Sequence, residues 1–233
     1  VRNEGELLLT DSIVHFSSAL YGGGIASGVV NTAATLTVSG STINNNTAAV
    51  HGGGIYASGT TTVDTSAVLT NDAGDDGGGI AFQAILPQTL TVENTTIAGN
   101  SSKYSGGGVA VYSSLSMVNS TISGNSAGGS GGGLYFPNST GTVKSSTITD
   151  NTADADADNS GDGGGFADTA ATSVNFFNVI LAANKDLSPV TKSPDCYSGP
   201  NFYPRYVVTT QVLGAGSCLV GFNPGTNIKV DDA

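Results

Sequence analysis

Apolar and small polar residues alternate over short runs, and these runs recur along most of the chain. One set opens with Ile25, Ile55, Ile80, Val109, Leu134 and Phe166, each directly after a glycine triplet, and continues in alternation to Ala57, Phe82, Val111 and Phe136. A second set runs through Leu36/Val38, Thr61/Val63, Leu90/Val92, Leu115/Met117, Val143 and Val174/Phe176. A third is the aliphatic three residues before an Asn: Ile43/Asn46, Val68/Asn71, Ile97/Asn100, Ile122/Asn125, Ile148/Asn151 and Leu181/Asn184. Such alternation predicts three short strands per repeat, each with one buried face. No segment carries a helical period or helix caps, so almost no helix is expected.

The glycine triplets begin at Gly22, Gly52, Gly77, Gly106, Gly131 and Gly163, with gaps of 30, 25, 29, 25 and 32 residues. Four times running a triplet starts six residues after the Asn; after Asn151 it starts twelve later, which marks a six-residue insertion. The opening coil (Leu7, Leu9, Val14) fits with Ser17 in the Asn place, giving about seven coils. Strands that recur at this period without hairpin signals must pair in parallel with their copies in the next coil. The expected fold is all-β: a single-stranded parallel β-helix, a solenoid wound right-handed as parallel crossovers are. At ~4.8 Å per coil it would be a rod of roughly 34 Å. The coils are assigned to 1–184. From Lys185 the pattern breaks into turn chemistry such as Ser188-Pro189, Ser193-Pro194 and Gly199-Pro200. Residues 185–233 are therefore expected to be a C-terminal cap or extension, with Cys196 and Cys218 joined in one disulfide that staples it; two buried free thiols are the alternative.

Composition alters the picture in two ways. The 34 glycines and only 11% charged residues among 233 would suit a disordered chain, but strict periodicity argues for a packed solenoid. A net charge of −11 with seven basic residues argues against nucleic acid or an anionic membrane as partner. No run approaches the ~18 apolar residues of a membrane helix. A Lys-poor, Thr/Asn-rich chain suits an extracellular or cell-surface setting. Val1 stands just upstream of a repeat without a charged-then-apolar leader, so the chain is expected to be a trimmed piece of something longer.

The alternation of Gly-Gly-Gly-Ile with Thr-Ile-x-x-Asn resembles the repeats of the polymorphic outer-membrane protein group and related large secreted bacterial β-helix proteins. Ile, Val or Leu here replaces the Phe of that group's Phe-x-x-Asn. The tail, Asn178 to Asn184 followed by Asp195-Cys196 and Gly216-Ser217-Cys218, is similar to the last coil and cap of anchored surface β-helix proteins. The resemblance implies surface display and an adhesive or structural role.

Candidate chemistry is sparse. The glycine triplets lack the following helix and Lys of a phosphate cradle and read as tight corners. Asn46, Asn71, Asn100, Asn125, Asn151 and Asn184 read as a stacked ladder bonding backbone groups of their own and neighbouring coils; a sugar-binding groove is the other reading. In the insertion, Asp154, Asp156, Asp158 and Asp162 resemble the first half of a calcium loop without its closing Glu, and a solvated acidic loop is the alternative. Asp72, Asp75 and Asp76 form a lesser acidic corner. Thr35 and Thr37, Thr60 and Thr62, Thr89 and Thr91, and Thr140 and Thr142, with Ser114 and Ser116 between, should form two outward ranks such as β-helical ice-binding proteins use. Thr is also simply a good exposed-strand residue. For a polysaccharide lyase or hydrolase, the strand-borne candidates are Asp64, Glu93 and Lys144, and His15 and His51 show no evident acid partner. The reading is a secreted structural or adhesive module that presents polar faces to surface glycans or proteins through many weak contacts, with its first coil, which lacks a visible cap, stacking on another subunit or on upstream coils lost from this chain. A polysaccharide-degrading enzyme and an ice-binding protein are the alternatives.

Overall fold

The computed structural model describes residues 1–29, 33–84, 87–170, 173–189, 193–199 and 201–209, with the backbone of Ile228–Lys229. Every element among them is a β-strand. The strands that follow the glycine triplets form an eight-stranded sheet from Arg2–Asn3 through Ile25–Ser27 and its copies to Cys196–Tyr197. The second and third strands of each coil (Thr60–Asp64 and Ala67–Leu69, for example) belong to one long sheet, joined through the ten-residue strand Ser173–Ala182. Pairing is parallel between consecutive coils, with Ile80 on Ile55 and Val109, Val63 on Val38 and Val92, and Val68 on Ile43 and Ile97.

The structure adds a fourth strand per coil to the three expected. Two-residue strands such as Thr47–Ala48, Asp72–Ala73 and Ser126–Ala127 follow the ladder Asn and build a seven-stranded short sheet. Two residues cannot display alternation. The available signal is a small residue two positions after each Asn from Asn46 to Asn151: Ala48, Ala73, Ser102, Ala127 and Ala153 are all buried, and after Asn184 the place is held by the buried Asp186.

Three left-handed corners recur from coil to coil. The first glycine of every triplet has positive φ, from 59° at Gly22 to 72° at Gly163. A second corner precedes the ladder Asn (Asn45, Thr70, Gly99, Gly124, Asp150), and a third ends the second strand (Gly40, Thr65, Asn94, Asn119, Ser145). Glycine and asparagine suit these corners, whereas Thr65 and Thr70 hold the left-handed region against their β-branched side chains.

The interior is filled by the inward residues of successive coils, and it becomes aromatic toward the C-terminal end. Phe166 packs with Phe136, Phe176 and Phe202 at ring-centroid separations of 5.6, 5.1 and 5.2 Å. Gly141, at an inward place held by Leu90 and Leu115 in earlier coils, leaves room for the Phe136 ring: a Cβ there would lie 2.5 Å from its Cε1.

Residues 185–209 extend the sheets. Lys185–Asp186 pairs with Thr152–Ala153, Cys196–Tyr197 with Phe166–Ala167, and Phe202–Thr209 with Ser173–Ala182. The Pro-rich turns of this stretch hide strands whose inward residues, Phe202 and Val207, are buried. Cys196 is buried as well. Its expected partner Cys218 lies outside the described residues, so the staple is not part of the fold described.

Candidate functional site

The asparagines line one inside corner. The Asn71 Oδ1 accepts from both the backbone N–H and the Nδ2 of Asn46, each at 3.0 Å, while the Asn71 Nδ2 donates to the Ile43 carbonyl at 3.0 Å. The pattern repeats through Asn100, Asn125, Asn151 and Asn184. At one end the Ser17 N–H donates to Asn46 Oδ1, and at the other Asp195 Oδ1 accepts from the Asn184 Nδ2 at 3.0 Å. All six amides are nearly inaccessible, from 0% to 6% exposed, so they offer nothing to a sugar. A ladder of hydroxyls, not expected from the sequence, runs parallel to it. The N–H groups of Ser12, Ser41, Ser66, Thr95 and Ser120 donate to Oγ of Ser41, Ser66, Thr95, Ser120 and Ser146. Its signal is a Ser or Thr five residues before each ladder Asn from Asn46 to Asn151; before Asn184 the place is taken by Val179 and the ladder ends.

The threonine ranks are aligned by the strand register. Thr60 pairs with Thr35, and Thr62 pairs with Thr37 on one side and Thr91 on the other. Ser114 pairs with Thr89 and Thr140, and Ser116 with Thr91 and Thr142. Both Thr140 and Thr142 are only half-buried, alternating with the inward Gly141 and Val143. The ranks are interrupted by Glu6 and Leu8 at one end and by Ser173 on Thr140 and Asn175 on Thr142 at the other. The run of threonines is therefore short and broken by serine, which leaves good exposed-strand residues as the simpler account of Thr142 and its column.

Asp64 and Glu93 pair directly, and Val118 separates Glu93 from Lys144. Hydrogen bonds from Asn94 and Thr65 hold the exposed Asp64 carboxyl below its ordinary range, opposite to what a general acid needs.

Chemistry gathers instead at the residue just before each glycine triplet. Inter-coil backbone bonds stack Tyr21, His51, Asp76, Ser105, Ser130 and Asp162 into a column, with Gly22 N–H donating to His51 O, Gly52 N–H to Asp76 O and Gly77 N–H to Ser105 O. His51 therefore does have acid neighbours, correcting the expectation: its Nε2 lies 3.8 Å from Asp75 Oδ2, and its Nδ1 accepts the Asp76 N–H at 3.4 Å. The reason is register, because stacking unites residues that stand 25 apart in the chain. The Tyr21 ring lies 5.2 Å from that of Tyr56 and 6.0 Å from His51. From one coil further on, Tyr112 reaches back to donate its hydroxyl to Asp76 Oδ2, while the Ser105 N–H donates to Asp76 Oδ1 at 2.7 Å. Between Tyr56 and Tyr112 lies a shallow depression of about 300 Å³, also lined by Gly28, Val29, Ser58, Gln83 and Ala84.

Burial pushes the Asp76 carboxyl up, more than its hydrogen bonds from Tyr112 and Ser105 pull it down. Burial, and then the bond to Asp76, push the Tyr112 phenol above its ordinary range. A raised carboxyl binds its proton more tightly in the folded state. Its contribution to stability is therefore present below the unfolded value and lost as pH rises through the folded one. Asp76→Asn is expected to remove this dependence. Across roughly pH 3 to 7, the melting temperature of the variant minus that of the parent should climb and then level off; a constant difference would contradict the assignment.

The insertion places carboxylate oxygens of Asp154, Asp156 and Asp158 within 4.8 Å of one another. Asp162 leaves this group for the pre-glycine column, because the chain turns back between them and the Asp162 N–H donates to Ser130 Oγ at 3.1 Å. Asp72 stands on the short sheet, bonded by the Ser101 hydroxyl, apart from Asp75 and Asp76.

Stacked parallel coils, internal side-chain ladders and an outer strip of tyrosines and carboxylates define a β-helix repeat protein. The chain belongs to the right-handed beta helix family, whose model (right handed beta helix region) matches residues 22–202. No curated protein and no solved structure matches it.

Proposed function

We propose that the protein is an extracellular or surface-displayed structural and binding module, and that its tyrosine strip contacts neutral glycans. The observation that carries this reading is the strip itself. Tyr21, Tyr56, Tyr112 and Tyr135 stand partly exposed, and Tyr56 and Tyr112 line a shallow depression with Ser58 and Gln83 as polar partners. A ring offers its face to the apolar side of a sugar while neighbouring polar groups meet the hydroxyls. Tyr56 and Tyr112 are two coils apart, roughly 10 Å, room for two pyranose units. The net charge of −11 disfavours acidic polymers, leaving neutral glycans or basic proteins as partners. The likeness of the Gly-Gly-Gly-Ile and Ile-x-x-Asn repeat to the polymorphic outer-membrane protein group supports surface display. The Cys196–Cys218 bridge and the stacking of the edge strands Glu6–Thr10 and Ile13–His15 on another subunit or on coils upstream of them belong to the same proposal.

One observation favours the enzyme reading: Asp76 is a buried carboxyl held toward its protonated form, as a general acid is. Both its oxygens are already engaged by Ser105 and Tyr112. Light-scattering chromatography with a panel of neutral and acidic polysaccharides separates the readings. Co-elution with a neutral polymer of unchanged length, lost in Tyr56→Ala, is expected. Shortened polymer would establish the enzyme reading, and no co-elution with any polymer would sink the glycan one. The same runs read self-stacking, as molar mass that rises with protein concentration.

A further inference from the structure

The geometry assigns a divalent-cation site, of the calcium type, to Asp154, Asp156 and Asp158 in the six-residue insertion. The insertion leaves the coil at a defined place. The Asp154 N–H donates to the Gly129 carbonyl at 3.1 Å and the Ala155 N–H to that of Ala127 at 3.0 Å, so the loop is pinned to the coil beneath it. On the other side the Ser188 hydroxyl holds the Gly161 carbonyl at 2.5 Å.

The telling feature is Asp154. Its side chain is fully buried, at 0% exposure, yet only one carboxylate oxygen is used: Oδ1 accepts the Asp158 N–H at 3.0 Å, and the buried Oδ2 has no hydrogen-bond partner. A carboxylate oxygen withdrawn from water without a partner is costly, and a native fold that keeps one calls for an ion or a bound water. Asp156 and Asp158, both exposed, each bring a carboxylate oxygen within 4.8 Å of one from Asp154, and Asp158 Oδ1 also accepts the Ser160 N–H at 2.9 Å and the Ser160 hydroxyl. Among the described residues no protein cation neutralises them, the ion pairs there being Arg2 with Glu4 and His51 with Asp75.

The donor set names the ion. Three carboxylates and no His or Cys make a hard oxygen site, suited to calcium or magnesium and poor for zinc or copper. An exposed loop completed by water suits the larger, less demanding ion. Without a bidentate Glu to close it, affinity should fall near the ~10⁻⁴–10⁻³ M of extracellular calcium modules. The other cluster, His51 with Asp75 and Asp76, carries no such argument, because both oxygens of its buried carboxylate are engaged.

The test is thermal melting of the full chain in chelator and across a calcium titration at fixed ionic strength. A saturable rise is expected, reaching roughly 3–6 °C at tenfold excess over the dissociation constant, with a smaller response to magnesium. Asp156→Asn with Asp158→Asn, at exposed positions where folding is not at stake, should abolish the rise. Asp154→Asn removes the buried charge: it should melt at least as high as the parent in chelator and ignore calcium. Identical parent melting in calcium and in chelator would overturn the assignment, as would a calcium response that survives in the Asp156/Asp158 double variant.

Discussion

Asn100→Ala is expected to lower the melting temperature by roughly 10 °C, at a cost of about 3–5 kcal/mol. Asn100 stands in the middle of the ladder. Its Oδ1 accepts from the N–H and the Nδ2 of Asn71, both at 2.9 Å, and its Nδ2 donates to the Val68 carbonyl at 3.0 Å and to Asn125 Oδ1 at 2.9 Å. Alanine strands two donors and one carbonyl in a corner that is 1% exposed, where water does not replace the lost partner. Leaving buried polar groups unpaired costs more than an intact hydrogen bond contributes. Asn100→Asp should fare little better, although it keeps an acceptor for Asn71, because the Nδ2 donor is lost and a carboxylate then faces both Asn125 Oδ1 and the Val68 carbonyl. Asp is used only where the ladder ends, at Asp195, whose second oxygen takes the Thr209 hydroxyl at 2.7 Å. Urea or thermal denaturation of Asn100→Ala beside the exposed-corner variant Asn45→Ala checks the claim. Comparable small shifts in the two would remove the ladder from the account of stability.

What the sequence makes legible is whatever repeats by identity. The glycine triplets, the ladder asparagines and the inward aliphatics occupy the same place in coil after coil, so periodicity displays them directly. The outward Thr ranks, from Thr35 to Thr142, are legible for the same reason, since they flank those inward residues. The hydroxyl ladder repeats just as faithfully, but Ser and Thr are so frequent here that Ser41, Ser66, Thr95, Ser120 and Ser146 vanish into the background. The pre-glycine column fails for the opposite reason. Tyr21, His51, Asp76, Ser105 and Ser130 change type along the column, and only inter-coil register shows that His51 meets Asp75 and Asp76. Asp195 is hidden because it ends the ladder only 11 residues after Asn184, less than half the usual spacing. Asp162 groups with the insertion carboxylates by nearness in sequence, which a loop that folds back on itself does not preserve.

Gly78→Ala is expected to be more disruptive than Gly99→Ala, although alanine at Gly99 enforces the less favourable backbone. Gly99 has φ +63°, and an added Cβ would meet only the Thr70 methyl at 3.4 Å. Its substitution should cost about 1–2 kcal/mol, the strain of one left-handed residue. Gly78, the middle glycine of its triplet, has no such conformational demand. A Cβ there would lie 2.2 Å from the Ser101 carbonyl oxygen and 2.4 Å from that of Gly107, and both are backbone atoms of the next coil. Relief requires that coil to retreat, and retreat breaks the bonds joining the glycine strands, among them Gly78 N–H to Gly106 O at 3.1 Å and Gly79 N–H to Gly107 O at 3.2 Å. The expected cost exceeds about 4 kcal/mol, read as a melting temperature at least roughly 8–10 °C lower or as a transition that splits in two. Because each coil contacts only its neighbours, a fault at one interface can uncouple the coils on either side. Equal shifts for the two variants would mean that positive φ is all the triplets supply. A far larger effect at Gly78 would mean that glycine is repeated three times for two reasons, one to turn the chain and two to let the coils touch.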